Sequence, residues 1–145
     1  MARNAAFKDF SFSTDKNLLQ LDVVCGFMAR SHWAAKRSRA VVERSLQHSE
    51  CYGIYLHNRQ VGFARVVTDY CTFAYLCDVF IDEEFRGQGL SKFLMEFIMS
   101  DASYASLRRF VLATKDAHEL YKKYGFELLN ETEKARFMEI LKVEN

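Results

Sequence analysis

The amino-acid sequence predicts an α/β fold in which a mixed, mostly antiparallel sheet of six to seven strands is flanked by about four helices. Two helical patterns precede three consecutive strand patterns, and a third helical pattern follows them. Short polar connections separate the consecutive strands, which favours antiparallel pairing. The 145 residues suit a single domain, 1–145, because no Pro and no Gly/Ser-rich linker marks a boundary.

The first half of the chain predicts one strand, two helices and then three strands. Ala6–Ser13 alternates apolar and polar residues weakly, as a short strand does. The predicted helices are Asp15–Arg30, which Thr14 or Asp15 would cap, and Ser38–Gln47. The predicted strands are Cys51–His57, Gln60–Tyr70 and Thr72–Asp82, which are rich in aromatic and β-branched residues.

The second half predicts two helices that alternate with strands. Gly87–Ser100 carries apolar residues at helical spacing, and Asp116–Tyr124 is a short helix that ends at Gly125. The strands predicted here are Arg109–Thr114, Phe126–Leu129 and Arg136–Leu141.

Composition and charge exclude several classes of protein. The formal net charge is +1, without the basic excess that a nucleic-acid partner would require. No apolar run reaches the roughly 20 residues of a membrane span, and the N-terminus lacks the features of a signal peptide. We therefore expect a cytoplasmic protein with neither a nucleic-acid nor a membrane partner.

The four cysteines do not form a metal or redox motif. Cys25, Cys51, Cys71 and Cys77 contain no C-x-x-C pair, and no His is spaced for a zinc site. We interpret them as small buried apolar residues and expect no bound metal.

A glycine-containing turn after the third strand carries the strongest chemical signal. The strand ends near Asp82, Gly87 and Gly89 follow, and a helix begins immediately. Such a turn directs backbone N–H groups and a helix dipole at one point, which suits an anion, and Arg86 adds a positive charge. Taken alone, the turn could equally be a tight entry into a helix.

The residues around the two glycines exclude the familiar nucleotide motifs. A dinucleotide-binding G-x-G-x-x-G turn would have glycine where Lys92 stands, and no acidic residue ends a second strand at the required distance. A P-loop would need Gly-Lys-Ser/Thr, which is absent.

The segment Arg86-Gly-Gln-Gly-Leu-Ser91 resembles the Arg/Gln-x-x-Gly-x-Gly/Ala signature of the GCN5-related N-acetyltransferase (GNAT) family, with Ser91 in place of the final Gly or Ala. The resemblance implies that backbone amides of the loop hold the pyrophosphate of CoA. The residues concerned are Arg86, Gly87, Gln88, Gly89, Leu90 and Ser91. It also implies splayed central strands in which Val79, Phe80 and Ile81 pair with the pantetheine arm.

A second segment, Ala117-His-Glu-Leu-Tyr-Lys-Lys-Tyr-Gly-Phe126, is similar to the family's Ala-x-x-Leu-Tyr-x-x-x-Gly-Phe helix. By this resemblance Tyr121 binds near the CoA sulfur and protonates the departing thiolate, whereas Tyr124 would be structural. Gln60–Arg65 and Leu112–His118 also resemble a bacterial subgroup of the family without assigned substrates. Thr114 stands where many members have an Asn that contacts pantetheine.

The proton acceptor and the acceptor pocket are less defined. Asp78 could take the proton of the incoming amine through a water molecule or could lie in a salt bridge, and Asp69 and Tyr70 could reach the same pocket. His118 is expected on an exposed helix face. His32 and Trp33 could form a wall for a small substrate.

The sequence therefore predicts an N-acetyltransferase that uses acetyl-CoA as co-substrate, without a metal, and transfers the acetyl group directly to a primary amine in a ternary complex. A small molecule is the expected acceptor, and a homodimer is possible. Two alternatives stay open: a CoA-binding domain without turnover and a protein lysine acetyltransferase.

Overall fold

The computed structural model describes residues 1–143 as a sheet with helices on both faces. The strands are β1 Asn4–Phe7, β2 Phe10–Ser13, β3 Glu50–Leu56, β4 Arg59–Thr68, β5 Phe73–Ile81 and β6 Arg109–Leu112. The α-helices are α1 Leu21–Arg30, α2 Arg39–Gln47, α3 Leu90–Met99, α4 His118–Lys122 and α5 Glu131–Arg136. The six strands follow chain order across the sheet, antiparallel except for the parallel pair β5 and β6, which confirms the predicted class.

The predicted first strand is a hairpin of two strands. Lys8 has a φ of 53°, in the left-handed region that tight turns use, and the chain reverses between Phe7 and Phe10. The weak alternation over Ala6–Ser13 gave no indication of this turn.

The first predicted helix begins later than expected. Asp15 accepts the backbone N–H of Asn17 and caps a single 3₁₀ turn, Lys16–Leu18. Leu19 then adopts extended backbone angles, so that α1 begins only at Leu21.

Two apolar cores lie on opposite faces of the sheet. On one face, α3 buries Leu90, Leu94, Met95, Phe97 and Ile98 against the strands. On the other face, Val24, Phe27 and Met28 of α1 and Val42 and Leu46 of α2 pack on Cys51, Phe63 and Phe80. Within residues 1–143 no helix combines the length and apolar character needed to cross a bilayer.

The sheet is irregular at two places that lie side by side on β5. The register between β4 and β5 shifts, because one residue of β4, Ala64, lies opposite two residues of β5, Asp78 and Val79. This is a β-bulge on β5. Beyond Leu76, which pairs with Leu112, β5 has no partner on the β6 side, so the two strands diverge as the splayed fold requires.

The two predicted C-terminal strands are wrong, because no strand follows β6 within the described residues. The Asn130 side chain accepts the backbone N–H of Glu133 and caps α5 instead. Arg109 of β6 then pairs with Glu133 at 2.9 Å, and its guanidinium lies 4.8 Å from the Phe137 ring centroid. These contacts dock α5 beside the sheet without adding a strand.

Candidate active site

The glycine turn has the backbone conformation that only glycine adopts readily. Gly87 and Gly89 have φ of 81° and 90°, and α3 begins directly after them at Leu90. Among residues 1–143, the backbone N–H groups from Gly87 to Lys92 have no protein acceptor. The first helical bond is donated by Phe93 to the carbonyl of Gly89. The turn therefore presents a row of free donors at a helix N-terminus, which is the arrangement of an anion site.

Arg86 supports this turn rather than projecting freely from it. Its Nε donates to the carbonyl of Ile81 at 2.8 Å, and its guanidinium lies 5.0 Å from the Phe80 ring centroid. The side chain thus ties the turn to the end of β5 and keeps its positive charge beside the free N–H groups.

Lys8 is a second cation at this turn, and the sequence analysis missed it. Its Nζ donates to the carbonyl of Gln88 at 3.0 Å from the β1–β2 turn, 80 residues away in the chain. The ring of Phe7 stacks on that of Phe93 with centroids 4.9 Å apart and so fixes this hairpin against α3. No local signal in the sequence relates Lys8 to the glycine turn.

The predicted pantetheine row lies on the diverging part of β5. Val79 is half-buried and lines a cavity of about 480 Å³ that extends between β5 and β6. Phe80 and Ile81 are each 6% exposed and pack into the two cores. The last pair between β5 and β6 is Leu76 with Leu112. The backbone groups of Val79, Phe80 and Ile81 that face β6 are therefore free to pair with an added strand.

Tyr121 lies in the same cavity as Val79. Its side chain is buried, and among residues 1–143 its hydroxyl has no hydrogen-bond partner. Burial raises the pKa of Tyr121 above the ordinary value of 10.0. The structure thus supplies a neutral phenol with a free donor, facing an opening in the sheet.

The neighbours of Tyr121 hold the short helix α4 in position. Thr114 lines the cavity, and its hydroxyl accepts the backbone N–H of Ala117 at 3.0 Å. Tyr124 donates to the carbonyl of Lys92 at 3.0 Å, which gives it the structural role that was predicted. His118 is half-buried, not exposed as expected, and lines a larger cavity of about 820 Å³ that also contacts Tyr121.

Asp78 is engaged by three donors. Its Oδ1 accepts Trp33 Nε1 at 2.9 Å, and its Oδ2 accepts Arg37 Nη1 at 3.0 Å and Arg65 Nε at 2.9 Å. The residue is 6% exposed. Asp78 thus lies in a salt bridge with Arg37 and Arg65, which is one of the two alternatives that the sequence left open.

His32 and Trp33 both line the smaller cavity, as the predicted acceptor wall would. Their rings meet edge to face with centroids 5.0 Å apart, and both residues are exposed at the rim. The sequence analysis missed further lining residues, among them Arg65, Tyr75 and Cys77. The signal for Arg65 was its charge between the apolar residues Ala64 and Val66 of β4.

Asp69 and Tyr70 do not line either cavity, contrary to the prediction. The Asp69 carboxylate accepts N–H groups of Cys71, Thr72 and Phe73 and closes the turn between β4 and β5. Hydrogen bonds, that of the Thr72 hydroxyl first, hold the pKa of Asp69 well below its ordinary value. Tyr70 instead donates its hydroxyl to Glu50.

The cysteines are all free thiols, and their burial differs. Cys51 is buried, Cys25 and Cys77 are half-buried, and Cys71 is exposed, which corrects the expectation that all four are buried. Within the part of the chain that the structure describes, no three His, Cys, Asp or Glu side chains cluster as metal ligands would.

Comparison with known proteins identifies the family. Residues 47–128 match the model of the acetyltransferase (GNAT) domain. A Gibberella zeae protein named as an acetyltransferase, FG08082, is 30% identical over 79% of this chain and 77% of its own length. The chain therefore belongs to the GNAT acetyltransferase family.

Solved structures agree with this assignment. A Xanthomonas campestris protein described as a GNAT-family acetyltransferase superposes with a TM-score of 0.86 at 42% identity, covering 92% of this chain and 93% of that one. A predicted acetyltransferase from Clostridium acetobutylicum, crystallised with acetyl-CoA, has a TM-score of 0.62 at 15% identity and covers 97% and 95% of the two chains. At that identity the second likeness concerns the fold alone.

Proposed function

We propose that this protein is an acetyl-CoA-dependent N-acetyltransferase that acetylates a primary amine of a small molecule. The observation that carries the proposal is the position of Tyr121 in the cavity between the diverging strands β5 and β6. This cavity joins an unpaired strand edge, on which a pantetheine arm can add, to a phenol that can donate a proton.

The cofactor half of the site suits the diphosphate of CoA. The free N–H groups from Gly87 to Lys92 would hold the phosphate oxygens, with Arg86 and Lys8 supplying positive charge. Membership of an acetyltransferase family and the fold shared with a protein crystallised with acetyl-CoA support the same choice of cofactor.

The proposed reaction needs one proton donor in the cavity. The amine attacks the thioester carbonyl in its neutral form, a C–N bond forms, and the C–S bond breaks with its electron pair leaving on sulfur. Tyr121 donates its hydroxyl proton to that sulfur, and the proton that the attacking nitrogen loses passes to solvent water, from which the phenolate is reprotonated. Because burial raises the pKa of Tyr121, the phenol stays protonated at neutral pH and is ready to act.

Direct transfer fits the cavity better than an acyl-enzyme. Of the four cysteines only Cys77 lines the smaller cavity, and the larger one has none. Burial, opposed by the nearby Arg65, raises the pKa of Cys77 to about 11, so its thiol is protonated at neutral pH and is a weak nucleophile.

The lining of the cavity is the basis for proposing a small acceptor. The volume of about 480 Å³ lies in the range of small-molecule pockets, roughly 300–1,000 Å³. Its wall combines the rings of Trp33 and Tyr75 with the charges of Arg65 and Lys115. Such a mixed wall suits an amine that also carries polar groups.

Isothermal titration of acetyl-CoA, and then of CoA, into the purified protein tests the cofactor. We expect a micromolar Kd, a binding free energy of about 8 kcal/mol. Absence of binding would overturn the proposal, because the glycine turn would then be a helix entry only. Thiol release from acetyl-CoA with a panel of small amines then separates an enzyme from a binding domain, which would bind without turnover.

A further inference from the structure

We propose that Asp78 is a positioning residue that fixes the acceptor wall of the cavity to the bulge of β5 and so joins the acceptor and cofactor halves of the site. This inference rests on the proposed function, since it assigns those two halves.

The side chain of Asp78 gathers donors from separate parts of the chain. Trp33 and Arg37 lie in the connection between α1 and α2, and Arg65 lies on β4. The contacts span 45, 41 and 13 residues of sequence. A carboxylate buried among such donors is fixed in orientation, and it fixes them in return.

The backbone of Asp78 forms the bulge. Its φ of 55° lies in the left-handed region, which is uncommon for residues other than glycine but tolerated by Asp. The next residue, Val79, begins the row of β5 that lies free of β6. The conformation of Asp78 therefore decides the direction in which this row presents its backbone groups.

Trp33 depends on Asp78 for its position. The indole is exposed by 39%, and its only described hydrogen bond is the one to Asp78. Arg65 donates to the Asp78 carboxylate and to the Ser49 hydroxyl, each at 2.9 Å. Without the carboxylate, the indole has no polar group to hold it over the cavity.

The two roles of Asp78 can be separated by substitution. In Asp78→Gly the backbone retains φ near 55° without strain. The hydrogen bonds of the carboxylate to Trp33, Arg37 and Arg65, which we call the clamp, are lost. In Asp78→Asn the left-handed backbone remains, but the amide offers one acceptor oxygen in place of two, so its NH2 faces either the indole or the two guanidinium groups. In Asp78→Ala the clamp is lost and the left-handed backbone becomes strained.

Trp33 is the only tryptophan, so its fluorescence reports on the clamp directly. We expect Asp78→Gly to shift the emission to longer wavelength and to raise quenching by acrylamide, and Asp78→Asn to do both to a smaller extent, because one acceptor oxygen remains. The acetyl-CoA Kd should stay close to the wild-type value in Asp78→Gly and weaken about tenfold in Asp78→Ala. Asp69→Gly, which loosens an exposed turn remote from Trp33, controls for general destabilisation and should leave the quenching unchanged.

Unchanged quenching of Trp33 in Asp78→Gly would overturn the clamp, and equal acetyl-CoA affinities of the Gly and Ala variants would overturn the role of the bulge. If Asp78→Gly does not fold, Asp78→Ala still decides, because it also removes the carboxylate. Unchanged quenching of Trp33 in Asp78→Ala would overturn the clamp, and an acetyl-CoA affinity of Asp78→Ala equal to that of the wild type would overturn the role of the bulge. Failure of the wild type to bind acetyl-CoA would instead overturn the proposed function. The clamp would still be tested, because the quenching measurement needs no ligand.

Discussion

The hydroxyl of Tyr124, which directly follows the C-cap residue of α4, donates to the backbone carbonyl of Lys92 in α3 across 3.0 Å. The relationship matters because α4 carries Tyr121, whereas α3 begins at the glycine turn. One hydrogen bond thus connects the segment that carries Tyr121, the candidate acid, with α3, the helix that begins at the candidate phosphate site.

Replacing Tyr121 by Phe should remove the proton donor and leave the cofactor site intact. We expect kcat to fall by about 100-fold or more, the usual contribution of a general acid, with little change in the acetyl-CoA Kd. Tyr124→Phe is the matched control, because it deletes a hydroxyl that serves structure. It should lower the free energy of unfolding by about 1 kcal/mol and keep kcat within a few-fold. Equal losses of kcat in the two variants would make Tyr121 a packing residue.

The pH dependence of kcat follows from the burial of Tyr121. A general acid acts in its protonated form, which exists below its pKa, and burial raises that pKa above 10.0. The alkaline loss of activity due to Tyr121 should therefore begin only above about pH 10 and should be absent from the residual activity of Tyr121→Phe. A fall of the wild-type kcat between about pH 8 and 9 that the Phe variant lacks would contradict this assignment.

Local patterns predicted the parts of the fold that depend on local forces. The strands β3, β4 and β5 and the turn before α3 follow from residue propensities and from the two glycines. The C-terminal strands failed because a strand needs a partner across the sheet, which the local pattern does not reveal, and Asn130 caps α5 between the two predicted segments.

The parts of the site that sequence reasoning missed depend on contacts between distant residues. For Asp78 the sequence left a proton acceptor and a salt bridge open, and it could not identify the partners Trp33 and Arg37, more than 40 residues away. Lys8 reaches the glycine turn only because the β1–β2 hairpin packs on α3. Neither contact has a spacing rule that a single sequence could reveal.

A valine at position 89 should impair acetyl-CoA binding specifically. Gly89 and Gly125 have almost the same φ, 90° and 92°, so a valine at either position costs a similar backbone strain of about 1–2 kcal/mol, and at position 89 its Cβ would also contact the Phe7 ring at 3.5 Å. Only Gly89 adjoins the free N–H groups at the start of α3. Titration should show acetyl-CoA affinity reduced at least tenfold in Gly89→Val and little changed in Gly125→Val. Similar affinities in both would remove the glycine turn from the cofactor site.

Lys8 provides the most direct test of the charge at the phosphate site. Its Nζ donates to the Gln88 carbonyl beside the row of free N–H groups, so removal of the charge should weaken acetyl-CoA binding without altering the fold. We expect Lys8→Met to raise the Kd about fivefold at low salt, about 1 kcal/mol, and this difference from wild type should shrink as salt screens the charge.

Lys16 is the matched control for that substitution. Its Nζ also donates to a backbone carbonyl, that of Gln47 at 3.3 Å, but it lies before α1 and away from the glycine turn. Lys16→Met removes the same charge from the whole protein, so it reproduces any effect of net charge on the approach of an anionic ligand. If both variants weaken binding equally at every salt concentration, Lys8 acts through the overall field, whereas a salt-dependent loss confined to Lys8→Met assigns it to the phosphate site.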